Sequence, residues 1–112
     1  MKKPSEQQLK KQIVEYLNLT GKVFCFPTNT GTFFFTNKQG KTRVFKSGVK
    51  GMPDILGIIS GGLFLTIEVK IGYNKPTPEQ KEFLDKIRSM GGIAMWVTSL
   101  DEVIENLKDY VS

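Results

Sequence analysis

Three times along these 112 residues, a hydroxyl residue precedes Glu or Gln by three positions at the head of an amphipathic stretch: Ser5 with Gln8, Thr77 with Gln80, and Ser99 with Glu102. This is the capping-box spacing, in which the two side chains take each other's otherwise unpaired backbone N–H groups at a helix start. Pro78, at the first helical position, strengthens the second start. Apolar positions follow at helical intervals: Leu9, Ile13, Tyr16 and Leu17, then Phe83, Leu84, Ile87 and Met90, then Val103, Ile104, Leu107 and Val111. Between the first two helices the pattern turns to β. Residues 22–26, 32–35 and 41–45 read as strands, the last two joined by a turn at 37–40. Residues 54–59 and 63–70 flank Ser60-Gly61-Gly62, and 93–97 follows a helix stop at Gly91-Gly92. Helix, strands, helix, strand, helix predicts an α/β fold, a central mixed sheet flanked by helices, in one domain over 1–112.

Composition narrows the chemistry. The chain has no histidine and one cysteine, Cys25, so a structural zinc site, a His-based centre and an internal disulfide are all excluded. Any metal must then be held by oxygen ligands, which points to magnesium or manganese. The apolar runs are too short to span a bilayer, so no membrane partner is expected. Met1-Lys2-Lys3-Pro4 leads into a polar helix rather than a signal sequence, and a cytoplasmic protein is expected.

The net charge of +5 is concentrated: Lys38, Lys41, Arg43, Lys46 and Lys50 lie between Thr36 and Gly51 with no acidic residue among them. Such a segment reads either as a phosphate-binding element or as an exposed hairpin kept soluble by lysines.

The chemistry-bearing stretch is Gly51-Met52-Pro53-Asp54, thirteen intervening residues, then Glu68-Val69-Lys70. Residues two apart in a strand share a face, so Glu68 and Lys70 project together, with Leu65, Ile67 and Val69 on the other, core-facing side. A three-residue loop at Ser60-Gly61-Gly62 pairs Ile59 with Leu63 and sets Asp54 opposite Glu68. A two-residue loop would pair Asp54 with Val69 and send the carboxylates to opposite faces. Two carboxylates at cross-strand distance repel unless a cation lies between them. Lys70 beside them can orient or deprotonate a water, or balance charge growing on a phosphate. A bare Glu-x-Lys reads better as a cross-strand salt bridge on a solvated face, and it becomes informative only with Pro53-Asp54 in register on the neighbouring strand. On the first helix Glu6 lies within the arc of Leu9, Ile13 and Leu17, while Glu15 falls opposite; on the second, Gln80 lies within the arc of Phe83, Ile87 and Met90. Both also read as ordinary helix-start residues.

Glu on a first helix, Pro-Asp, Glu-x-Lys on a hairpin, then Gln on the next helix resembles the PD-(D/E)XK nuclease superfamily. More narrowly, the chain resembles a stand-alone VRR-NUC domain, the virus-type replication-repair nuclease. The likeness also takes in Asn29-Thr30-Gly31, the basic hairpin, the run from Gly51 to Gly57 and Thr77-Pro78-Glu79-Gln80. It implies a restriction-endonuclease-like core with an extra basic β-hairpin, and a Mg2+-dependent endonuclease in which Mn2+ substitutes. It makes Asp54, Glu68 and the Val69 carbonyl the metal ligands, with Lys70 acting on the attacking water. Glu6 would support the metal shell, and Gln80 would position Lys70 or the phosphate. Asn29, Lys38, Lys41, Arg43, Lys46 and Lys50 would lie along DNA. The implied substrate is branched DNA such as a Holliday junction, in DNA repair of phage or bacterial origin, cut by a homodimer. Cutting two strands symmetrically independently calls for two sites about a two-fold axis. Phe33-Phe34-Phe35 could supply that interface or pack in the chain's own core. Two alternatives keep their place: the same chemistry on flaps, single strands or plain duplex, and a non-catalytic nucleic-acid-binding module.

Overall fold

The computed structural model describes residues 3–28, 32–46 and 49–112, with the backbone alone along 32–35 and 44–46. The chain runs α1 (Glu6–Leu19), β1 (Val23–Pro27), β2 (Thr32–Thr36), β3 (Thr42–Lys46), β4 (Ile55–Ile59), β5 (Leu63–Val69), α2 (Pro78–Ser89), β6 (Ile93–Val97) and α3 (Leu100–Val111). The capping boxes at Ser5/Gln8 and Thr77/Gln80 both form. At the third start Ser99 does receive the Glu102 N–H, but the Glu102 carboxylate departs from the expected box. It reaches past Ser99 to the N–H and hydroxyl of Thr98. Strand ends shift by a residue or so, leaving Asp54 just before β4 and Lys70 just after β5.

Four strands form one sheet in the order β1-β4-β5-β6, antiparallel except for the final β5–β6 pair; β2 and β3 form a separate antiparallel hairpin. The hairpin turn is built by Asn37, whose Oδ1 accepts from the N–H groups of Gln39 and Lys41 at 2.9 and 3.0 Å. Leu9, Ile13 and Leu17 of α1 and Val103 and Leu107 of α3 bury against one sheet face, formed by Val23, Cys25, Ile55, Ile59, Leu65, Ile67, Val69, Met95 and Val97. Alternation along β5 and β6 turns Thr66, Glu68 and Ala94 to the opposite face, and α2 packs over those two strands. Leu84 is the buried residue of α2. Met90, expected on its apolar face, is instead 85% exposed, because the helix ends there and Met90 is its C-cap. Phe83 and Ile87 are half-buried.

Side chains close both sheet edges. The Asn18 amide donates to the Cys25 carbonyl and accepts from its N–H, both at 2.9 Å, occupying the outward groups of β1. Arg88 Nε donates to the Ala94 carbonyl of β6 at 3.0 Å. Gly57 lets β1 and β4 approach here, since a Cβ would stand 2.6 Å from the Phe24 carbonyl oxygen and overlap Cys25. Among the described residues, no helix is long and apolar enough to cross a membrane.

Candidate active site

The segment before β4 is fixed at several points, and Asp54 is the residue it presents. Gly51 adopts φ 79°, and a side chain there would collide with the Glu79 carbonyl, so only glycine lets this loop lie on the first turn of α2. Thr28, just beyond β1, donates its hydroxyl to the Pro53 carbonyl at 2.6 Å and its N–H to the Asp54 carbonyl at 2.8 Å. The Asp54 side chain then takes the Val69 N–H on Oδ2 at 2.8 Å. Ile59 pairs with Leu63 and Ile55 with Ile67, so one step further out Asp54 faces Glu68, as the three-residue loop predicts.

Glu68 is 2% exposed, and its Oε2 has no hydrogen-bond partner among the described residues. Burial, followed by the Asp54 carboxylate beside it, pushes its carboxyl up to about 8; Glu6 adds to this and Lys70 opposes it. Lys70 Nζ stands 3.9 Å from Glu68 Oε1. Lys10 Nζ, on α1, stands 3.9 Å from Asp54 Oδ1. These lysines are largely enclosed, with side chains 15% and 18% exposed.

This donor set fits a hard divalent cation. A buried carboxylate oxygen without a partner, facing a second carboxylate, has the unmet charge that such an ion neutralises. In an extended strand one residue's N–H and C=O point to the same side, so the Val69 carbonyl opens towards Asp54, which already holds its N–H. Among the described residues, no three Asp, Glu, Cys or His side chains are grouped as a metal-ligand set, so a cation would combine the two carboxylates with backbone oxygen and water.

The remaining candidates are placed as follows. Glu6 is half-buried and close enough to act on Glu68, whereas Glu15 is exposed. Gln80 is not hydrogen-bonded to Lys70 among the described residues: its Oε1 accepts from the Thr77 N–H at 2.9 Å, as the capping box requires. Lys38, Lys41 and Arg43 are exposed on the hairpin. Lys50 is exposed too, but the fold gives it an acidic neighbour that the local sequence lacks, Glu79 at 3.5 Å. Asn29 and the side chains of Lys46 and Phe33-Phe34-Phe35 lie outside the described residues. Sequence reasoning missed Lys10; its signal was the four-residue spacing from Glu6, which puts both on one helix face.

No protein-family model matches the chain, and no curated protein matches it. Among solved structures it is similar to one described as a VRR_NUC domain, with a TM-score of 0.64 and 22% sequence identity over 96% of this chain and 97% of that one. A mixed four-stranded sheet flanked by three helices, traced in the same way over nearly the whole length, gives this chain the restriction-endonuclease-like fold of a VRR_NUC domain.

Proposed function

We propose that this chain is a stand-alone VRR-NUC-type nuclease that hydrolyses phosphodiester bonds in DNA, requires a divalent metal, and acts as a homodimer on branched substrates. The observation that carries this reading is the pairing of buried Glu68, with one carboxylate oxygen orphaned among the described residues, with half-buried Asp54, and Lys70 beside them. Asp54, Glu68 and the Val69 carbonyl would hold Mg2+, or Mn2+ in its place. When bound, the ion supplies Lewis acidity and water activation. Lys70 orients the attacking water, helps remove its proton and balances charge on the phosphate. Glu6 steadies the carboxylate cluster from α1. Exposed Lys38, Lys41 and Arg43 give the hairpin a phosphate-binding surface, with Asn29, Lys46 and Lys50 extending the DNA path. Free, buried Cys25 suits a reducing, intracellular setting.

The test is incubation with labelled four-way junction, flap, duplex and single-stranded DNA in Mg2+, Mn2+ or EDTA, alongside Asp54→Asn. Cleavage that needs the metal, prefers the junction and vanishes in Asp54→Asn is expected. Cleavage in EDTA, or undiminished cleavage by Asp54→Asn, would refute the assignment.

A further inference from the structure

We propose that Lys10 is a second cationic group of this site, drawing a DNA phosphate onto the metal-loaded Asp54–Glu68 pair; the inference rests on the nuclease reading above. A helix-surface lysine ordinarily keeps its ammonium in water. Lys10 instead has a side chain only 18% exposed, with Nζ 3.9 Å from Asp54 Oδ1, the oxygen that Val69 leaves open. Lys70 stands at the same separation from Glu68 Oε1. Two ammonium groups thus approach from two different elements, one beside each carboxylate. At 3.9 Å neither is within hydrogen-bond range of its carboxylate, so among the described residues their N–H donors are available to another acceptor.

Charge gives this arrangement an order of events. With a metal bound, all three carboxylates Glu6, Asp54 and Glu68 are ionised, and against Lys10 and Lys70 they leave the protein groups of the site with a surplus of one formal negative charge. One divalent ion converts it to a surplus of one positive charge, and the site then attracts phosphate. Without Lys10, the same ion brings the cluster only to neutrality. Lys10 therefore decides whether metal loading recruits DNA at this point. The competing explanation is that Lys10 merely braces Asp54. The two differ in the metal itself: losing a brace weakens metal binding, whereas losing a like charge leaves it unchanged or tightens it.

The experiment compares the full chain with Lys10→Met, close in length and helix propensity, and Lys10→Arg, which keeps the charge. DNA affinity is read by fluorescence anisotropy on a labelled junction across a salt series, in Ca2+ and in EDTA. Ca2+ affinity without DNA is read by calorimetry. In Ca2+, Lys10→Met should bind DNA roughly 10- to 100-fold more weakly, as for a lost hydrogen bond to a charged group. Its log–log salt slope should be shallower by about 0.9. The difference should disappear in EDTA, Lys10→Arg should stay within a few-fold of the parent, and Ca2+ affinity of Lys10→Met should be unchanged or higher. Unaltered DNA affinity in Ca2+, or a Ca2+ affinity that falls in Lys10→Met and returns in Lys10→Arg, overturns the proposal. If the parent chain cuts DNA while Lys10→Met binds it normally, only the role of Lys10 fails. A parent chain that neither binds nor cuts DNA in Mg2+ overturns the nuclease reading and this inference with it.

Discussion

Replacing Glu68 by Gln should stabilise the metal-free protein at neutral pH while abolishing its response to metal. Burial and Asp54 raise the Glu68 carboxyl from 4.5 to about 8 in the fold. The folded chain therefore holds a proton that the unfolded chain has released. Stability from this group is complete below 4.5 and is lost as pH rises towards about 8. The loss is about 1.4 kcal/mol per pH unit across that window, reaching about 3 kcal/mol by pH 7. With Glu68 only 2% exposed, solvent screens little of it. Gln is neutral throughout and cannot carry this dependence. In EDTA the variant should match the parent near pH 4.5 and exceed it by about 3 kcal/mol at pH 7, a Tm difference of about 10 °C or more for a domain of this size. Mg2+ first closes this gap and then reverses the order, because a bound cation replaces the proton and stabilises the parent by about 2.7 kcal/mol at a hundred times Kd and about 4.1 kcal/mol at a thousand times Kd. Thermal and urea unfolding from pH 4.5 to 8.5, with EDTA and with Mg2+, reads both effects. Parallel pH curves in EDTA would show that Glu68 carries no buried charge, and equal stabilisation of both proteins by Mg2+ would remove it from the ligand set.

Lys70→Ala should slow cleavage by roughly 10²- to 10⁴-fold, the range for a positioned acid–base or charge-stabilising group. Metal affinity measured by calorimetry should change little, and its collapse would make Lys70 structural. Glu6→Gln should lower turnover and Glu15→Gln should not, since only Glu6 acts on Glu68; equal rates in a single-turnover assay would exclude Glu6 from the site. Neutralising Lys41 and Arg43 together should weaken binding to every DNA substrate alike and flatten the salt slope by about 0.9 for each phosphate left without its cation. Turnover at saturating DNA should survive, and an unchanged slope would leave the hairpin lysines as solubilising charges.

The site was legible in the sequence wherever its geometry follows from local chemistry. Ser60-Gly61-Gly62 supplies two residues at positive φ, Gly61 and Gly62, and such a turn fixes the register that sets Asp54 across from Glu68. Ser5 and Gln8 fix where α1 begins, hence which glutamate of that helix faces the sheet. What could not be read depends on contacts far apart in sequence. Nothing near Asp54 announces that Thr28 and Gly51 hold it, or that Lys10 reaches it from α1. For Gln80, capping and catalytic roles call for the same residue at the same position, and the capping hydrogen bond is the one that forms.

The enclosure of Glu68 was also beyond local reasoning, and it bears most directly on function. A Glu-x-Lys on an open sheet face is a common solvated pair worth little to stability. Here α2 packs over β5 and β6 on that face, and the fold encloses a carboxylate at considerable cost. Packing alone would favour an apolar residue at 68, as at Leu65, Ile67 and Val69 on the same strand. Helix burial does not require a second carboxylate at 54 either, much less one that takes the Val69 N–H while Thr28 ties down the Pro53 and Asp54 backbone carbonyls. Local rules broken together at one point, with the surrounding structure built to hold the breach in place, support the catalytic role proposed for this site. The same reasoning ranks the remaining polar features. Exposed pairs such as Lys86–Glu82 and Lys108–Glu105 break no rule and call for no function. Lys10 and Lys70, drawn out of water beside an enclosed acidic pair, are where loss of charge should be felt first.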